Sequence, residues 1–144
     1  MERGLGSDKL LGLPIRLRGI ELGRPADLLL DLDAGRVVGF DVVCGDSRHR
    51  FLALVATQLW PDGIEVASAL PLLSQLPFYR KQTASLAELR GHAVARGDEE
   101  VGRLRELLIG ANGEIEALVV EREGDLQTVP VDGLVVRPNG TRAV

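Results

Sequence analysis

The sequence has a single cysteine, Cys44, among 144 residues. A disulfide within one chain is excluded, and a reducing compartment is the natural setting. Aromatic residues make up only 3%, so a core has to be assembled from Val, Leu, Ile and Ala. No apolar run approaches the ~20 residues of a membrane helix, and residues 1–9 hold no apolar signal segment. These absences predict a cytoplasmic chain without membrane insertion. An excess of positive charge is lacking as well. The formal net charge is −4, and only residues 70–89 carry more basic than acidic groups. That argues against a broad phosphate-binding face and hence against nucleic acid as a partner.

Recognisable reaction chemistry is missing too. Gly19 and Gly23 precede a strand rather than joining a strand to a helix, which is the wrong context for a phosphate loop. Ser7, Ser47, Ser68, Ser74 and Ser85 lack nucleophile-elbow surroundings. His49 and His92 have no Cys or His at metal-ligand spacing. Asp27, Asp31, Asp33 and Asp41 are too spread along apolar strands for a calcium loop, which gathers six to eight oxygens around one turn. Cys44 lies in an apolar run and reads as a small core residue. The expectation is a protein with no catalytic residues, no metal and no cofactor.

What is present is turn chemistry between apolar runs. Residues 27–32 and 36–44 read as two strands joined by Asp33-Ala34-Gly35, with Gly35 able to take positive φ. A strand over 10–17 is expected before them, placed at a sheet edge by Pro14. Strands over 50–56 and 64–67 follow, the second after the turn Trp60-Pro61-Asp62-Gly63. Leu70, Leu73 and Leu76 then predict a short helix that begins near Ser68 and stops at Pro77. Leu86 to Leu89 add a further helical turn.

The same order then returns. Gly12 and Gly91 are 79 positions apart, as are Gly23 and Gly102. Leu28-Leu29-Leu30 matches Leu107-Leu108-Ile109 at that offset, and Val37 matches Ile115 after one residue is lost in the turn. Pro61-Asp62-Gly63 and Pro138-Asn139-Gly140 end the two copies alike. Self-similarity of this kind predicts two β-rich units of about 60 residues each. Units this small need closure, packing on each other, or pairing of two chains as a homodimer.

With Leu11-Gly12, Gly23-Arg24-Pro25-Ala26-Asp27-Leu28-Leu29-Leu30-Asp31 and Gly35-Arg36-Val37-Val38, the first copy resembles the PRC-barrel family. The second copy resembles it through Arg90-Gly91, Gly102-Arg103-Leu104, Leu107-Leu108-Ile109, Gly113-Glu114-Ile115 and Val129-Pro130-Val131-Asp132. The first copy departs from the pattern at Leu54-Val55-Ala56-Thr57, which has no proline. The resemblance implies a mainly β protein of two tandem small barrels. A flexible tail (1–9) precedes the first barrel (10–69), a connector with a short helix (70–89) and the second barrel (90–144). It also implies an adaptor that docks to a cytoplasmic or membrane-associated protein complex.

Two other functions are set beside it. One is a ribosome-maturation or RNA-associated factor, disfavoured by the acidic balance. The other is a small-molecule sensor, which would need a polar pocket between the copies rather than a dry Leu/Val joint. The candidate interaction surface is Arg48, His49 and Arg50 in one loop, Trp60, and Tyr79-Arg80-Lys81 in the connector, because aromatic and Arg side chains dominate interface hot spots.

Overall fold

The computed structural model describes residues 5–68, 72–73 and 76–137. The chain opens with a two-residue strand β1 (Leu5–Gly6) and helix α1 (Ser7–Leu11). Strands β2 (Ile15–Leu17), β3 (Ile20–Asp31), β4 (Arg36–Cys44) and β5 (His49–Ala53) follow. A 3-10 turn at Leu54–Ala56 leads into β6 (Thr57–Trp60) and β7 (Gly63–Val66). Next come β8 (Leu72–Leu73), α2 (Leu76–Gln82), β9 (Ala84–Ser85) and α3 (Leu86–Leu89). The last strands are β10 (Ala93–Arg96), β11 (Glu99–Ile109), β12 (Ile115–Arg122), β13 (Asp125–Pro130) and β14 (Leu134–Arg137). The protein is mainly β, with curled sheets that include a half-barrel.

The strands form two sheets. In the first the order is β6-β7-β2-β3-β4-β5-β8, and in the second it is β13-β12-β11-β10-β14. The central order β2-β3-β4-β5 has its counterpart in β10-β11-β12-β13. Even the irregularities correspond. Register shifts fall at Ile15/Arg16, Pro25/Asp27 and Leu29/Leu30 in the first sheet, and at Val94/Ala95, Leu104/Glu106 and Leu108/Ile109 in the second. Each of the second set lies 79 positions after its match. A bulge is also where Pro25 is tolerated inside a strand, since its missing donor falls where the ladder is already broken.

The two longest hairpins meet at their turns. Asp31 Oδ1 accepts the Ala34 N–H at 3.0 Å, which closes the first turn. Gly35 and Gly113 both take positive φ, 69° and 89°. The Val37 N–H donates to Gly113 O and the Ile115 N–H donates to Gly35 O, each at 2.8 Å. Between them Arg36 faces Glu114 in an isolated antiparallel bridge. A Cβ on Gly113 would overlap Leu54 Cδ2, whereas a Cβ on Gly35 would meet nothing within 4 Å. The second turn is therefore the more tightly packed of the pair.

The short strands cross over between sheets. β9 pairs with β3, placing Ala84 opposite Leu30 and Ser85 opposite Leu29. β1 pairs with β11, placing Leu5 opposite Ile109 and Gly6 opposite Leu108. The two exchanges are again 79 positions apart. Each exchanged strand runs straight into a helix, and a carboxylate of the receiving sheet caps that helix. Asp27 Oδ1 accepts the Ala87 N–H at 3.0 Å, and Glu106 Oε2 accepts the Asp8 N–H at 3.3 Å. These are free first-turn donors that a side-chain oxygen can satisfy. The carboxylates differ by one methylene, and their neighbours compensate. The shorter Asp27 takes a hydrogen bond from Ser85 Oγ. The longer Glu106 lies over Gly6, where any Cβ would overlap Oε2.

Both sheets enclose one apolar core. Leu28, Leu30, Phe40, Val42 and Leu52 from the first meet Leu104, Leu107, Ile109, Leu118 and Val120 from the second. Leu10 from α1 and Leu86 and Leu89 from α3 complete it. Full burial of one such side chain stabilises by roughly 1.5–3 kcal/mol. Cys44 belongs to this core. A smaller cluster of Leu29, Phe51 and Leu76 sits on the outer face of the first sheet beneath α2.

Several expectations are corrected. Residues 5–9, expected within a flexible tail, form β1 and most of α1, with Ser7 buried and its Oγ accepting the Leu107 N–H at 2.9 Å. Residues 10–17 are the end of that helix followed by a three-residue strand, not one strand. β2 is interior to its sheet, with β7 and β3 on either side. Pro14 avoids conflict there by preceding the strand and offering only its carbonyl, to the Ile64 N–H at 2.9 Å. The connector helix begins at Leu76, where it was expected to end, because Pro77 falls in a first turn that needs no internal donor from it. β8 and β9, both in the connector, belong to the first sheet. Leu70, Pro71, Ser74 and the turn at Pro138-Asn139-Gly140 lie outside the described residues.

Candidate functional site

Helix α2 binds the outer face of the first sheet through one aromatic and one ionic contact. Tyr79 stacks on Phe51 with ring centres 3.9 Å apart and planes within 6°, and Phe78 meets Tyr79 edge-on at 5.2 Å. One residue on, Arg80 reaches Asp41 Oδ2 at 2.5 Å and Asp27 Oδ2 at 3.3 Å. Asp27 and Asp41 lie opposite each other on β3 and β4 and are 4% and 3% exposed. Two carboxylates this close and this buried would repel unless a cation joined them. Arg80 supplies it. Hydrogen bonding to Asp41 raises the Arg80 pKa, against the opposing effect of burial.

The remaining oxygens are also engaged. His49 Nδ1 lies 2.7 Å from Asp41 Oδ1. Asp27 Oδ1 accepts the Leu28 N–H at 2.8 Å as well as the Ala87 N–H, and Ser85 donates to Oδ2. A network with every carboxylate oxygen committed fastens α2 and α3 to the sheet. These contacts hold the two helices against β3 and β4, so the network acts as a clasp. Among the described residues, no three His, Cys, Asp or Glu side chains converge to hold a metal ion.

The seven residues of the candidate surface therefore divide. His49, Tyr79 and Arg80 converge in the clasp. His49 was expected in a loop between two arginines; it stands in β5 with a carboxylate as its partner. Arg50 makes a paired contact with Asp46 at 2.8 and 3.0 Å, and the Arg48 N–H donates to Asp46 Oδ1 at 3.0 Å. Those bonds, Arg50 first, hold the Asp46 carboxyl well below the usual carboxylate range, and Asp46 in turn raises Arg50. Lys81 is exposed on α2.

Trp60 stands apart, at the end of edge strand β6 and 44% exposed. With Leu59, Pro61, Leu5, Ile109 and Ala111 it lines a hollow of about 160 Å³. Val55, just before β6, is 88% exposed. Among the described residues the β6–β7 hairpin has no counterpart in the second sheet, whose β14 pairs directly and antiparallel with β10.

Asp27 and Asp41 were missed as a functional pair. Their signal was there: Asp27 stands between Ala26 and Leu28, and Asp41 between Phe40 and Val42, and a charge set among apolar neighbours needs a buried partner. A cavity of about 200 Å³ does lie between the hairpin turn and the second sheet. Leu30, Leu107, Ile115, Leu118 and Val136 line it, with Asp33 at one side. That lining is the apolar joint rather than a polar ligand pocket. Among the described residues, no helix is long and apolar enough to cross a membrane.

No family model matches the chain, and no curated protein matches it either.

Proposed function

We propose that the protein is a non-enzymatic docking module of the PRC-barrel type, built from two copies of one unit and acting on a protein partner in the cytoplasm. The observation that carries the docking reading is the β6 edge. There the only tryptophan of the chain and the nearly bare Val55 flank an edge strand that, among the described residues, pairs on one side alone, with β7. Exposed apolar groups grouped at a strand edge favour a partner, which can add a strand there and bury the indole. Tryptophan is also the residue type most enriched in interface hot spots. The duplication reading is supported by the common 79-residue offset of the bulges and of the exchanged strands.

The test is proximity labelling from the native host, with wild type and Trp60→Ala compared at equal abundance. A partner labelled by wild type and depleted about tenfold or more by the variant, the loss of a strong hot spot, supports the reading. An unchanged set of labelled proteins, or no partner recovered even at low salt, overturns it.

A further inference from the structure

The two sheets differ in how their outer faces and edges are finished. On the first, β8 adds to β5, pairing Leu73 with Phe51 and Leu72 with Leu52. Helix α2 then lies over the face and sends Arg80 to Asp27 and Asp41. β13 is the counterpart of β5, since Ala117 faces Pro130 where Gly39 faces Ala53. Among the described residues, no strand is added to β13. Where Asp27, Asp41 and His49 stand in the first sheet, the second has Glu106, Val119 and Leu126. Those three residues line a groove of about 420 Å³ together with Asp8, Arg90 and Arg105. Leu126 is 62% exposed.

We propose that this groove and the β13 edge take a strand–helix segment of a partner protein, one with an apolar helix face and a single Lys or Arg for Glu106. The segment occupies the place that β8 and α2 fill on the first sheet. The chemistry follows from the exchanges. Val119 and Leu126 replace a carboxylate and an imidazole, so the seat is more apolar. One carboxylate remains instead of two, so one cation suffices. Glu106 Oε2 accepts the Asp8 N–H, and Oε1 makes no hydrogen bond among the described residues. The nearby cations are already matched, Arg90 to Asp8 and Arg105 to Glu121. The inference shares with the docking reading only that a protein is bound, and it does not use Trp60.

The probe is a synthetic peptide of residues 70–82 of this chain, LPLLSQLPFYRKQ, titrated into the isotope-labelled full chain. The chain's own α2 is tethered at an effective concentration on the order of millimolar, so added peptide meets the open groove first. Saturable amide shifts at Val119, Leu126 and Thr128 are expected. Glu106→Gln, and separately the peptide with Arg80→Glu, weaken binding about fivefold, as for a partly exposed ion pair. Leu126→Asp, an exposed site that cannot unseat α1, abolishes the shifts, and Trp60→Ala leaves them unchanged. Peptide binding with no partner depletion by Trp60→Ala would keep this inference and sink the other reading. No shifts in β12 and β13 at millimolar peptide overturn it, as do shifts confined to β4 and β5, or Glu106→Gln binding as wild type. A concentration-dependent dimer that broadens the same resonances without peptide would assign the groove to a second copy of the chain and overturn it as well.

Discussion

Ile115 donates its backbone N–H to the carbonyl of Gly35 at 2.8 Å, and one strand away Val37 returns the bond to Gly113. Two hairpin turns that lie 78 positions apart thus satisfy each other. The bonds use backbone groups that each hairpin leaves unpaired at its own turn, so the tips lock without side-chain chemistry.

This arrangement separates two glycines that look alike in the sequence. Gly35→Ala meets only the strain of positive φ, about 1 kcal/mol. Gly113→Ala meets the same strain and also Leu54, which must shift, so its loss is about 3 kcal/mol. Urea denaturation of both variants checks the order. Equal losses would mean that Leu54 does not fill the second turn.

Arg80→Met keeps most of the stem but leaves Asp27 and Asp41 uncompensated. A buried pair broken in this way loses roughly 3–5 kcal/mol. Arg80 is about one-third exposed, and solvent screening lowers the expected loss to about 2 kcal/mol. Hydrogen exchange should quicken across α2 and α3 while the second sheet is unchanged. Protection of α2 equal to wild type would show that the Tyr79–Phe51 stack alone holds it.

The residues that seat the exchanged helices should be interchangeable as pairs. Gly6→Ser alone collides with Glu106 and destabilises by about 1–3 kcal/mol. Glu106→Asp alone removes the cap from α1, a loss of about 1 kcal/mol. Together they reproduce the Ser85–Asp27 pair, and the double variant should be more stable than the sum of the singles predicts. Additive losses in a double-mutant cycle would refute the correspondence.

Asp46 makes a contribution that depends on acid. Its folded pKa is depressed by Arg50 and by the Arg48 N–H. The contribution is fully present above the unfolded carboxylate pKa of about 3.9 and is lost as pH falls toward the folded value. Asp46→Asn should therefore differ from wild type above about pH 4 and converge with it toward about pH 2. Thermal unfolding across that range measures the difference, which is small because the group is exposed. A gap that widens in acid would contradict the sign.

Much of the fold could be read along the chain. The long strands β3, β4, β11 and β12 carry apolar runs bounded by turn residues, and Gly35 and Gly113 stand where left-handed turns are required. The helical turn at Leu86–Leu89 was legible as well. β1 and β9 were not, because two residues are too few to carry a period. α2 was displaced by reading Pro77 as a stop, when a proline serves equally well in a first turn.

The sequence by itself determined the hairpins, the aliphatic core and the 79-residue correspondence, because these rest on periods and turn residues that are local. Only the tertiary structure decided that β1 and β9 cross to the other sheet, and that Arg80 joins Asp27 and Asp41 across 53 and 39 positions. It also decided that Trp60 stands away from the clasp. Pairing across such distances depends on which buried charges and unpaired backbone groups meet once the sheets close, and no local pattern records that.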